Sequence, residues 1–80
     1  MGMANETSMR TGNSIRVTLN GESRELPAGM SVADLLSELG LHARTVVVEH
    51  NRQILARHLF SSALIQSGDT LELVHFVGGG

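Results

Sequence analysis

Three glycines, Gly78-Gly79-Gly80, follow directly on an apolar run, Leu71-Glu72-Leu73-Val74-His75-Phe76-Val77, and carry the last carboxylate of the sequence. Glycine has no Cβ, so an arm of this kind threads narrow channels and takes backbone dihedrals closed to other residues. The carboxylate at its tip is an unhindered acyl group, and the first reading of the tail is that its end is the reactive group. The bland alternative is an ordinary frayed terminus. No other residues compete strongly for chemistry. The chain has no cysteine, which excludes disulfides, Cys-ligated zinc and any persulfide held on its own thiol. His42, His50, His58 and His75 fall on four separate segments. Their spacing does not suggest the convergence a metal site needs, and they read as scattered surface histidines. No Ser-His-Asp set or paired-carboxylate motif stands out, and Gly78–Gly80 is no phosphate cradle because no helix follows it.

The elements that must position this tail are legible from pattern. Ile15-Arg16-Val17-Thr18-Leu19 alternates apolar and polar residues as a half-buried strand does. Asn20-Gly21 is a two-residue hairpin signal, so Glu22 to Leu26 is the returning strand, closed by Pro27. Arg16 and Arg24 would then lie together on the outer face of that hairpin. Ser31 can cap a helix, Asp34 stands at its third position, and Met30 and Leu35 hold the staple positions. Val32, Leu35, Leu36 and Leu39 form one apolar face, and Gly40 is placed to end the helix. Thr45 to Glu49 is β-branched and reads as a strand, turned by His50-Asn51-Arg52 into a short edge strand, Gln53-Ile54-Leu55. Leu59 to Ala63 fits one helical turn, Ser67-Gly68-Asp69 a turn, and Thr70 to Val77 the last strand. An isolated hairpin cannot bury a helix, so the last strand is expected beside the first and parallel to it. The resulting fold class is α+β, a β-grasp with a mixed sheet wrapped on one main helix. If Leu71 and Leu73 face that helix, Glu72, Val74 and Phe76 face outward, and an exposed Val and Phe beside the tail suggest a partner surface.

Eighty residues make one small domain. Residues 1–13 are polar, small and without period and read as a disordered leader, residues 14–77 as the domain, and 78–80 as a flexible reactive tail. The net charge is −2 and all six basic residues are arginine, so no basic face for nucleic acid is implied. Phe60 and Phe76 are too few for a base-stacking platform. No stretch is long enough to span a bilayer and no signal peptide is visible, which makes the cytoplasm the expected location. The free protein is expected to be a monomer.

The segment Ser67-Gly68-Asp69-Thr70-Leu71-Glu72-Leu73-Val74-His75-Phe76-Val77-Gly78-Gly79-Gly80 resembles the end of the sulfur carriers of thiamine biosynthesis, the ThiS family. Leu19-Asn20-Gly21-Glu22 resembles the family's first hairpin. Val32-Ala33-Asp34-Leu35-Leu36 is similar to the start of its helix, and Val46-Val47-Val48-Glu49-His50-Asn51 to its third strand. The resemblance runs over residues 15–80. It departs at Ser67, where the family often has Asp, and in the leader, which has no counterpart. It implies a ubiquitin-like fold and a protein co-substrate, not an enzyme, that binds no cofactor or metal of its own. A ThiF-like adenylyltransferase would use ATP to adenylate the Gly80 carboxylate, a persulfide donor would supply sulfur to form a thiocarboxylate, and thiazole synthase would receive that sulfur. Gly80 and Gly79 are then the reactive residues, and Val74, Phe76, Val77 and Gly78 the partner-binding ones. The small subunit of molybdopterin synthase and a ubiquitin-like modifier or interaction domain share this outline. His75-Phe76-Val77 favours the thiamine carrier, because the molybdopterin subunit more often has Pro near this point.

Overall fold

The computed structural model describes residues 14–76. Five strands form one sheet in the order β2-β1-β5-β3-β4: β1 Ser14–Leu19, β2 Glu22–Pro27, β3 Val46–His50, β4 Gln53–Leu55 and β5 Thr70–His75. One helix, α1, runs Val32–Glu38. β1 and β2 are antiparallel, β1 and β5 parallel, and β3 is antiparallel to both β4 and β5. The parallel pairing of first and last strands is the one expected from the need to bury α1. This is the ubiquitin-like β-grasp, and it places the strand that leads to the tail at the centre of the sheet.

Local chemistry accounts for most of these elements. At the start of α1 the Asp34 N–H donates to Ser31 Oγ and the Ser31 N–H donates to Asp34 Oδ2, each at 3.0 Å, which completes a capping box. At its end Gly40 takes φ +72°. The Leu41 N–H reaches Leu36 O at 2.8 Å and the Gly40 N–H reaches Ser37 O at 3.1 Å, the paired bonds of a Schellman motif. Asn20 and Gly21 both have positive φ, as a type I′ hairpin requires, and so do Asn51 and Arg52 in the β3–β4 turn.

Val32, Leu35 and Leu36 of α1 are buried against Val17, Leu19, Leu26, Val46, Val48, Leu71 and Leu73 of the sheet, with Leu39 and Ile15 packed at the margin. Phe60 and Ile65, from the long connection between β4 and β5, close the same core. That connection begins with a 3-10 turn at Arg57–Leu59, two residues ahead of the expected helical turn at Leu59–Ala63, while Ala63 N–H still closes back on Leu59 O at 2.9 Å. A second 3-10 turn, Ala43–Thr45, takes Thr45 out of the strand it was expected to begin. No helix among the described residues is long and apolar enough to cross a membrane.

The expected pairing of Arg16 with Arg24 is incorrect. Arg16 lies opposite Glu25 and Val17 opposite Arg24, so the two arginines sit on opposite faces of the hairpin. Side chains alternate along a strand with period two, and a register in which positions 16 and 24 are diagonal neighbours separates them. Arg16 instead meets Glu25 at 3.7 Å and Ser23 at 3.1 Å on the outer face, an exposed pair that contributes little.

Candidate functional site

β5 is held along its first half from both sides. The Thr18 N–H donates to Asp69 O at 2.9 Å and the Asn20 N–H to Leu71 O at 2.8 Å. The Asn20 side chain then extends the ladder past the end of β1, its Oδ1 accepting the Leu73 N–H at 2.7 Å. On the other side the register pairs His50 with Leu71, Glu49 with Glu72, Val48 with Leu73, Val47 with Val74 and Val46 with His75. The Phe76 N–H still donates to Thr45 O at 3.0 Å, so the strand direction is set up to the residue before Val77.

A polar cluster fixes where β5 begins. Asp69, 8% exposed, accepts the Gln66 N–H at 2.8 Å and the Asn51 Nδ2 at 3.1 Å, and its Oδ2 lies 2.6 Å from His50 Nε2. Asn51 clamps the first residue of the strand, its Oδ1 accepting the Thr70 N–H at 2.9 Å and its own N–H donating to Thr70 O at 2.8 Å. His50 is therefore not a scattered surface histidine. The β3–β4 turn and the turn before β5 come from distant parts of the chain, and the sheet brings them together at its end. His42, His58 and His75 are exposed, and no group of three His, Asp or Glu among the described residues converges as a metal site.

Burial alone would raise the pKa of the Asp69 carboxyl. The His50 bond, the Gln66 amide and the Asn51 amide outweigh it, and the group is held below the ordinary carboxylate range. The native fold therefore favours the charged form, and the stability this contributes is present above the usual pKa of 3.8 and is lost as acid passes below it. Asp69→Asn is expected to cost about 1.5–3 kcal/mol at neutral pH, the range for hydrogen bonds to a charged group. Urea unfolding as a function of pH checks this: wild type and variant should converge in acid. Asp34 shifts the same way, held by the Ser31 amide and hydroxyl, so part of the acid limb should survive in the variant.

The helix-free face of the sheet beside the end of β5 is apolar at its centre. Val74 is 59% exposed and Phe76 42%, on the face expected for them. Val47 stands directly opposite Val74, and Ile54, opposite Glu49, adds the most exposed large apolar side chain among the described residues at 67%. Sequence reasoning found Val74 and Phe76 but not Val47 and Ile54. The outward phase of β3 was readable from its alternation, whereas its adjacency to β5 is a product of the fold. Glu49 and Glu72 face each other across the same strands, a like-charge pair that costs some stability and gives the patch an acidic border. Val77, Gly78, Gly79 and Gly80 lie outside the described residues.

The ThiS family model matches residues 17–80. The chain belongs to the ThiS family. It is 41% identical over 66 residues to a thiazole synthase of Paramagnetospirillum magneticum, a match covering 82% of this chain but 20% of that protein. The chain thus spans a fifth of that relative's length. It is 36% identical over 50 residues to the sulfur carrier protein ThiS of Bacillus subtilis, covering 62% of this chain and 76% of that one. The crystal structure of a thiamine biosynthesis protein (ThiS) from Geobacter metallireducens is similar with a TM-score of 0.70 and 33% identity, over 82% of this chain and all of that one. In this ThiS-family chain the family match runs on through β5 and the apolar patch to Gly80.

Proposed function

We infer that this protein is the sulfur carrier of thiamine biosynthesis, a co-substrate whose Gly80 carboxylate is adenylated, converted to a thiocarboxylate and used to deliver sulfur for the thiazole ring. The observation that carries the reading is the family match through the glycine tail, joined to a fold that holds the preceding strand in register up to Phe76. A carboxylate is a poor acyl donor, and a mixed anhydride with AMP supplies the leaving group it lacks. The terminal sulfur of a persulfide donor then attacks the acyl adenylate and expels AMP, forming an acyl disulfide. A second thiol on the donor side breaks its S–S bond, leaving C–S⁻ in place of C–O⁻ on the carrier and a disulfide on the donor. The thiocarboxylate is itself a sulfur nucleophile, so the carrier needs no cysteine, and this chain has none. ATP is bound by the ThiF-like adenylyltransferase and not by the carrier. Thiazole synthase is the acceptor, a reading supported by the thiazole synthases that contain a segment similar to this chain.

The experiment that tests the function is intact-mass analysis after incubation with ATP, the adenylyltransferase and a persulfide donor. The expected product is the whole protein made heavier by the exchange of one oxygen for sulfur, with the change confined to the C-terminal peptide. A mass change elsewhere, or none, would leave a plain interaction domain as the surviving reading.

Three glycines offer a partner little to recognise, so selectivity rests on the folded body. The outer patch of Val47, Ile54, Val74 and Phe76 is the docking face, with Val77 and Gly78 leading from it into the partner's channel. Phe76→Ala is expected to weaken binding to the adenylyltransferase by about 1–3 kcal/mol, the range for a truncated interface anchor, with little change in the unfolding midpoint because Phe76 lies outside the core. Titration calorimetry beside a denaturation curve separates the two effects. Wild-type affinity in the variant would remove Phe76 from the interface.

A further inference from the structure

The backbone of β5 is satisfied unequally on its two sides. Toward β3, the paired residues Glu72 and Val74 and the amide of Phe76 are all engaged. Alternate residues Leu71, Leu73 and His75 turn their backbone groups toward β1. There the parallel register ends at Leu19–Leu71, and the chain leaves the sheet in the Asn20–Gly21 turn. Asn20 supplies one more acceptor, for the Leu73 N–H. Beyond it, Leu73 C=O, His75 N–H and His75 C=O have no partner among the described residues. The result is a notch in the sheet outline, an open stretch of β5 edge that is bounded at one end by the hairpin turn.

The sheet guards its other edges. β2 carries Glu22, Arg24 and Glu25 and ends on Pro27, and β4 is three residues long. The notch carries no such protection. His75 bears the open N–H, and its exposed side chain lies on the helix side, leaving Val74 and Phe76 as apolar neighbours on the other face.

We propose that the adenylyltransferase adds an extended segment of its own chain to this notch, in line with β1, pairing with Leu73 and His75. The proposal rests on the functional reading above and names how the partner grips the tail. A glycine arm offers no side chains, so main-chain hydrogen bonds are the one means of aligning it that the arm's composition allows. The notch begins that alignment at the Leu73 carbonyl, five residues before Gly78, on backbone the fold already holds straight. The added segment presents an N–H to Leu73 C=O, a C=O to His75 N–H and an N–H to His75 C=O. Its outward side chains are apolar, to pack beside Val74 and Phe76.

The test is amide hydrogen exchange, followed by NMR, on the free protein and on its complex with the adenylyltransferase of the same organism. In the free protein the His75 amide should exchange much faster than those of Val74 and Phe76. In the complex it should slow by at least about tenfold, as expected when an open amide becomes hydrogen-bonded. Two variants separate pairing from simple burial. His75→Ala keeps the N–H and should bind within about twofold of wild type, whereas His75→Pro removes it and should bind about tenfold more weakly, the upper end for one hydrogen bond. A His75 amide already protected in the free protein would overturn the proposal, because the chain itself would fill the notch. So would a complex in which the Val47 and Val74 methyl resonances shift while His75 exchanges at its free rate, and this result would leave the functional reading standing. Failure of any methyl to shift with partner in excess would instead remove the functional reading, and the proposal with it. Should His75→Pro not fold, the exchange data alone decide.

Discussion

Deleting Gly80, or adding residues after it, is expected to reduce sulfur transfer to background while leaving the unfolding midpoint unchanged. The fold described by residues 14–76 is complete without the tail: the core residues lie between Val17 and Leu73, and the last described hydrogen bond of the strand is the Phe76 amide to Thr45. The chemistry has no second location, because no cysteine is present to accept sulfur from a donor. Adenylation needs a free carboxylate, and an amide at that position gives ATP nothing to activate. Gly80→Ala is the finer probe. It keeps the carboxylate but places a methyl group beside the reacting carbonyl. Displacement of a reacting atom by about 1 Å costs on the order of 100-fold in rate, and this is the expected loss. Single-turnover thiocarboxylate formation, read by intact mass, measures both effects. An extended protein that still accepts and donates sulfur, with no trimming back to Gly80, would overturn the carrier mechanism.

Leu36→Ala is expected to destabilise the domain by about 2–5 kcal/mol, as large-to-small changes in a packed core do. Leu36 is 2% exposed and lies among Val32, Leu35, Phe60 and the inner face of the sheet. It also accepts the Leu41 N–H, so the position serves both the core and the helix terminus, although alanine keeps the carbonyl. A domain of this size has a margin at the low end of about 5–15 kcal/mol, so the variant should lose a large share of it. Urea denaturation checks the value. A loss under 1 kcal/mol, roughly what a surface substitution costs, would mean that Leu36 is not in the core.

The helix and the first hairpin turn were legible because their signals are local, whereas the second, expected at His50-Asn51-Arg52, is made by Asn51 and Arg52 alone, with His50 the last residue of β3. A capping box needs residues three apart, a Schellman end needs one glycine, and a type I′ turn needs two residues of the right type. Alternation gave the faces of β1 and β5. What the sequence concealed is what the sheet assembles from distant segments. Phe60 and Ile65 enter the core from a connection with no period of its own, so nothing marked them as inward. His50 and Asp69 are 19 residues apart, and their 2.6 Å contact exists because two turns end at one side of the sheet. Val47 and Ile54 join Val74 and Phe76 through the pairing of β3 with β4 and β5.

The central position of β5 has a mechanical consequence. Under the proposed function the protein is handled by its tail, and any tension applied there passes into β5 along the strand axis. β5 lies between β1 and β3, with its hydrogen bonds perpendicular to or slanted across that axis. A pull of this kind loads the flanking bonds together, in shear, instead of peeling them one at a time as it would at an edge strand. Resistance to forced unfolding is a matter of rate and not of equilibrium stability. The strand that leads toward the tail is thereby also the one best placed to bear force, and on the proposed function a partner can pull on the tail without unravelling the domain behind it.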